Sequence, residues 1–272
     1  MPAPSTYANE ARKKVGQYLV KEAGFSKKTP LKFYKQAENI LTYVYLEKVF
    51  LTQVEVGITP LYIPDSVGVL NGVRLPNCAL SEDCGPMQAN QWTEAVIRQL
   101  QGGILSFMES IASPQALLHR LTDRSPSDHR FALNPLQTSK LIIFTSAYLG
   151  DIPSAIRCAR RAIQQIKETR IDSLPAKLAQ YDAEIARMKA DLSHADPMHG
   201  EIIRQAIDRT ERGKQLAESD AASNAASTIR MYEDWIAPFS DPSFDRMDYF
   251  AQIIRQNKDA LKYEKLFKLK NP

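Results

Sequence analysis

The chain has 272 residues, is 44% apolar and carries a net charge of only +4 at pH 7. That length and apolar content suffice to bury a core without a partner, while so small a charge excess excludes the broad cationic surface of an ordinary nucleic-acid binder. Its three cysteines, Cys78, Cys84 and Cys158, lack zinc-ribbon or redox spacing, no apolar run reaches the roughly 18 residues that cross a bilayer, and MPAPSTYANEARKK lacks a signal-peptide core. The expectation is a cytosolic protein that binds neither nucleic acid nor membrane.

From Ser5 to Ala23, the apolar positions Ala8, Ala11, Val15, Tyr18 and Leu19 recur at steps of three and four, one stripe of an amphipathic helix. Gly24 stops it, because glycine takes the left-handed conformation that closes a last turn, and Phe25 is placed to pack back. After Pro30 the period changes. Leu31 to Lys35, Ile40 to Lys48 and Phe50 to Leu61 are rich in β-branched and aromatic residues, which predicts three antiparallel strands in a meander. Gly68 to Leu80 offers a fourth strand through Val73 and Leu75, within a proline-punctuated loop.

A helix is predicted over Asn90 to Ala112, interrupted at Gly102-Gly103, where two glycines weaken the interior and suggest a bend. Ser113-Pro114 is a cap and first turn for a short helix carrying Leu117, Leu118 and Leu121. The polar run Thr122 to Arg130 marks an expected boundary between an α+β domain, 1–133, and an all-helical domain, 134–272. In the latter, Leu174, Leu178, Tyr181, Ile185, Met188 and Leu192 form the seam of a helical hairpin that turns at Asp196-Pro197. The last helix carries Phe244, Met247, Phe250, Ile254 and Leu261, followed by a basic tail.

Catalytic and cofactor signals are weak. Pro197 breaks the helix between His194, Asp196 and His199, so the two histidines share no helical face, and a solvated turn is the simpler reading than a metal site. His119 and His129 sit across a polar stretch, and Ser127-Asp128-His129 are neighbours in sequence, unlike triads, which assemble in space. Glycine-rich phosphate loops are absent. No cofactor, no metal and no enzymatic activity are expected.

The strands are more informative. Val54, Val56 and Ile58 alternate with Gln53 and Glu55, so the valine face takes the helices, together with Leu31, Phe33, Ile40, Val44 and Leu46. Tyr34, Tyr43, Tyr45, Glu47, Gln53 and Glu55 then fall on the other face. Tyrosines among charges suit a protein-binding surface, since each brings large area and a hydroxyl at low entropic cost. Either a partner protein or the chain's own C-terminal helices cover that face. Base stacking is the poorer reading, because the glutamates oppose a phosphate backbone and no RNP motif is present.

Two resemblances extend these readings. The order helix, EAGFSKKTPLKFYK, ILTYVYLEK, VEVGITPLY and a helix ending in ILSFMESIASPQALLHRL resembles, over residues 8–122, a widespread bacterial family known only as a domain of unknown function. The resemblance implies a small cytosolic α+β protein, and some members are predicted immunity proteins of toxin systems. AYLGDIPSAIRCARRAI, 147–163, resembles half of one tetratricopeptide repeat, with no second copy at a spacing near 34 residues.

The expectation is therefore α+β: a three- to four-stranded antiparallel sheet with helices on one face, followed by an all-α helical hairpin domain. The expected function is non-enzymatic binding of another protein, a toxin in the immunity reading, by occlusion through Tyr34, Tyr43, Tyr45, Glu47, Gln53 and Glu55. The alternative is a helical scaffold or adaptor that docks through its C-terminal helices.

Overall fold

The computed structural model describes residues 4–48, 51–65, 71–123 and 135–263. Phe50, Gly68, the polar run from 124 to 130 with its Ser127-Asp128-His129, and the basic tail lie outside the described residues. The fold is α+β. Packing divides the chain into two compact units, one of residues 1–152 with 245–272, the other of residues 153–244. The division departs from the expected boundary at 133/134, because the helix after it and the last helix belong with the sheet.

The first unit opens with α1 (Pro4–Lys21), then β1 (Ser26–Thr29), β2 (Lys32–Ala37), β3 (Ile40–Lys48), β4 (Leu51–Pro60), β5 (Asn71–Arg74) and β6 (Leu80–Ser81). There follow α2 (Pro86–Gln99), α3 (Leu105–Ser110), α4 (Pro114–Thr122) and α5 (Pro135–Tyr148). Gly24 ends α1 at φ 74°, and the Phe25 amide donates to the Leu19 carbonyl at 2.9 Å, the six-residue return that closes a helix with a left-handed glycine. Gly103, at φ 108°, separates α2 from α3, and the Ser113 hydroxyl caps α4 by accepting from the Ala116 amide at 3.2 Å.

The strands pair antiparallel in the order β1-β2-β3-β4-β5, with β6 also pairing β4. Phe33 lies opposite Val44, Val44 opposite Val56, and Val56 opposite Val73, so these four share one face. Phe33, Ile40, Val44, Leu46, Val54, Val56 and Ile58 are fully buried, each contributing about 1.5–3 kcal/mol by the area it removes from water. Helix α1 closes over this face at Gly16: a Cβ built there would lie 2.8 Å from Phe33 Cζ. Only hydrogen fits between helix and ring.

The opposite face carries Tyr34, opposite Tyr43, with Leu41 two residues further along β3. It too is covered. Tyr34, Leu41, Tyr43, Leu61 and Leu261 form one buried cluster, against which Tyr45 and Ile254 pack. Leu261 and Ile254 belong to the final helix, which returns to this unit after residue 244. The sheet is thus flanked by helices on both faces, a correction to the one-sided arrangement expected.

In the second unit, α6 (Ile152–Ile166), α7 (Leu174–Leu192), α8 (Pro197–Ser219) and α9 (Ala226–Ile236) follow one another. Within α7, Leu174, Leu178, Tyr181, Ile185, Met188 and Leu192 are the positions withdrawn from solvent. They meet α8, which runs antiparallel: Lys214 reaches Asp182 at 2.6 Å and Lys189 reaches Glu211 at 3.4 Å. The chain then returns to the first unit as α10 (Arg246–Tyr263).

Candidate functional site

The structure brings the six predicted residues onto one sheet face but does not leave that face open. Tyr34, Tyr43 and Glu55 are buried, at 1%, 0% and 6% exposure, whereas Tyr45, Glu47 and Gln53 are half-buried. Of the two coverings the sequence left open, the chain's own C-terminal helix is the one present: α10 lays Ile254 and Leu261 over the tyrosines. Beneath it the Tyr34 and Tyr45 hydroxyls are hydrogen-bonded to each other, and the Tyr43 and Tyr45 rings lie 4.5 Å apart. Tyr43 Oη donates to Glu55 Oε1 at 2.9 Å. Burial and the neighbouring Glu55 push the Tyr43 hydroxyl far above its ordinary range; burial likewise raises Glu55, only partly offset by that hydrogen bond. At the rim, Arg74 Nη2 holds Glu47 at 2.8 Å, and Lys32 lies over the Tyr45 ring. These polar groups are satisfied by one another, as a core requires.

An open site lies on the other side of the sheet. A cleft of about 700 Å³ runs between α1 and the β1–β2 end, lined by Arg12, Lys13, Lys21, Lys27 and Lys48 together with Val20, Pro30 and Leu31. Among the described residues, no acidic side chain lines it. Val20 is 40% exposed despite its apolar side chain. The helical period places Lys13, Gln17 and Lys21 along one stripe, and Gly24 turns the chain so that β1 presents Lys27 across from them.

Arg12 and Lys48 are already engaged. The Arg12 guanidinium, 4% exposed, pairs with the Glu82 carboxylate through Nη1 and, at 3.2 Å, through Nη2. Arg12 Nη1 also donates to Thr52 Oγ1 at 2.7 Å, and Lys48 holds the other Glu82 oxygen at 3.0 Å. The Arg12 hydrogen bond is the main reason that the Glu82 carboxyl is held down at about 2. Lys13, Lys21 and Lys27 are exposed and make no ion pair among the described residues. Sequence reasoning missed this cleft; the signal was Lys13 and Lys21, eight apart on α1, followed by Lys27 just beyond the Gly24 stop.

The remaining motifs serve structure. Asp196 Oδ1 accepts from the amides of Met198 at 3.0 Å and His199 at 3.1 Å, capping α8, and His199 Nδ1 bonds the same carboxylate. Burial raises the Cys78, Cys84 and Cys158 thiols, away from the thiolate a nucleophile needs. Among the described residues, no group of three or more histidine, cysteine or acidic side chains is placed to hold a metal, and no helix is long and apolar enough to cross a membrane.

Comparison with known proteins adds no assignment: no family model, no curated protein and no solved structure matches the chain.

Proposed function

We propose that the protein is a non-enzymatic binding protein that occludes another protein, in the manner of an immunity or antitoxin-like protein, and that it does so through the α1/β1 cleft. The observation that carries this reading is the unpaired set Lys13, Lys21 and Lys27 beside exposed Val20, in a cleft with no acidic lining among the described residues. Charges at a rim steer a partner and select against wrong ones, while a buried apolar anchor supplies affinity. Tyr34, Tyr43 and Glu55 drop out as anchors because they are buried within the chain itself. The partner this surface fits presents carboxylates around a hydrophobic side chain. The test is calorimetric titration with the product of the adjacent gene, using the wild type and the triple variant Lys13→Glu, Lys21→Glu, Lys27→Glu. Loss of binding at unchanged melting temperature is expected; undiminished affinity overturns the reading.

A second reading, a helical scaffold or adaptor, is favoured by α8, where Met198, Ile202 and Leu216 stand 76%, 61% and 70% exposed. Met198 and Ile202 are one turn apart and form one ridge. Met198→Asp with Ile202→Asp abolishes partner capture in that case and leaves the cleft-directed partner bound in the first.

A further inference from the structure

The spacing of the unpaired lysines narrows the chemistry of what the cleft takes, and this inference rests on the cleft being the binding surface. Lys13 and Lys21 are eight residues apart on α1, or about 12 Å along the axis at 1.5 Å per residue. Within this span the exposed apolar chain is Val20, one residue before Lys21 and so toward that end of the stripe, and Leu31 lines the same cleft. An extended chain covers about 13 Å in four residues and puts residues i, i+2 and i+4 on one side.

We propose that the cleft receives an extended acidic segment of a partner protein in which two carboxylates four residues apart flank one apolar side chain. The carboxylates meet Lys13 and Lys21, and the apolar chain between them rests on Val20 and Leu31.

Two observations support this occupant. The protein's own Glu82 already shows which group the cleft's cations take: a carboxylate, shared between Arg12 and Lys48. That pairing neutralises the inner end and leaves the net positive charge on the outer stripe. Strand addition at the neighbouring sheet edge is a poorer mode, because β1 has four residues, carries Lys27 and Lys28 and shifts register between Lys27 and Thr29. Short, charged and bulged edges resist pairing. The segment therefore lies along α1 and does not extend the sheet.

The test uses the full chain and fluorescein-labelled peptides followed by anisotropy at low ionic strength. One is Ser-Glu-Ser-Leu-Ser-Glu-Ser; its composition-matched permutation, Ser-Glu-Glu-Leu-Ser-Ser-Ser, breaks the spacing. Poly-L-glutamate and decanoate are run beside them. The expected result is that the spaced peptide binds about tenfold more tightly than the permutation, which corresponds to two weak rim pairs acting together. Lys13→Glu with Lys21→Glu should abolish the difference, and added salt should weaken binding. Equal binding of the two peptides, or binding of poly-L-glutamate alone, overturns the spacing and leaves an acidic partner standing. Saturable decanoate binding that is lost in the same variant overturns the protein-segment occupant in favour of a small amphipathic anion. Failure of all four probes overturns both the spacing and the acidic-partner reading.

Discussion

Asn257 donates from Nδ2 to the carbonyl oxygens of Leu61, at 2.7 Å, and Ile63, at 2.8 Å, from a position only 5% exposed. One side chain near the end of α10 thus satisfies two backbone acceptors in the chain leaving β4, and it fixes the helix over the tyrosine face. Asn257→Ala orphans both carbonyls and is expected to cost about 1–3 kcal/mol in urea unfolding. Asn257→Asp, which brings an anion against the same oxygens, should cost more than the alanine. Equal stability of the wild type and both variants would show that α10 is not held here.

Tyr43 distinguishes a core from a docking surface. Its ring is fully buried in the cluster with Tyr34, Leu41, Leu61 and Leu261, so Tyr43→Ala should lower stability by about 3–5 kcal/mol. Tyr43→Phe removes only the donor to Glu55 and should cost about 1–2 kcal/mol. A melting temperature unchanged by alanine would return these tyrosines to the surface.

Two carboxyls impose opposite pH dependences. Glu82 is held at about 2 against an ordinary 4.5, so its contribution is present above 4.5 and lost as pH falls toward 2. Glu55 is shifted upward; the folded state binds its proton more tightly than the unfolded chain, and its contribution is full below the ordinary value and lost as pH rises through the raised one. Glu55→Gln should therefore gain stability over the wild type at about pH 7 but not at about pH 4. Glu82→Gln leaves the buried Arg12 charge uncompensated, which costs about 3 kcal/mol at neutral pH, and it should flatten the acid limb. Urea melts at the two pH values measure both effects, and parallel shifts at the two would contradict the assignments.

Gly16 and Phe33 set how closely α1 approaches the sheet. With a Cβ forced to within 2.8 Å of the Phe33 ring, Gly16→Val should destabilise by about 1–3 kcal/mol. Phe33→Leu opens the needed space, so the double variant should be less destabilised than the sum of the singles. Additive losses would mean that the two sites do not touch.

The local features of this fold are legible in the sequence because their causes are local. Gly24 ends α1 and Ser113 caps α4 through groups within a few residues. Gly103 breaks a helix by its own backbone angle. The alternation of Val54, Val56 and Ile58 with Gln53 and Glu55 assigns the two faces of β4, since a strand's side-chain period is two, and β2, β3 and β4 follow from the same rule. Two strands lacked such a signal: β1, whose four side chains are all polar or charged, and β6, which is only two residues long.

What covers each face had no such local cause. The tyrosine face is closed by Ile254, Asn257 and Leu261, about two hundred residues downstream of the strands they meet. A strand that presents tyrosine and glutamate has the same pattern whether water, a partner or a distant helix lies above it. The cleft depends likewise on α1 lying against Phe33 and on β1 turning Lys27 toward Lys21, both matters of packing. By itself the sequence determined the elements, their ends and the two faces of the sheet, because backbone angles and side-chain periods are properties of neighbouring residues. The tertiary structure alone decided which face is buried beneath α10 and where the unpaired cations gather, because burial depends on chain segments brought together only by folding.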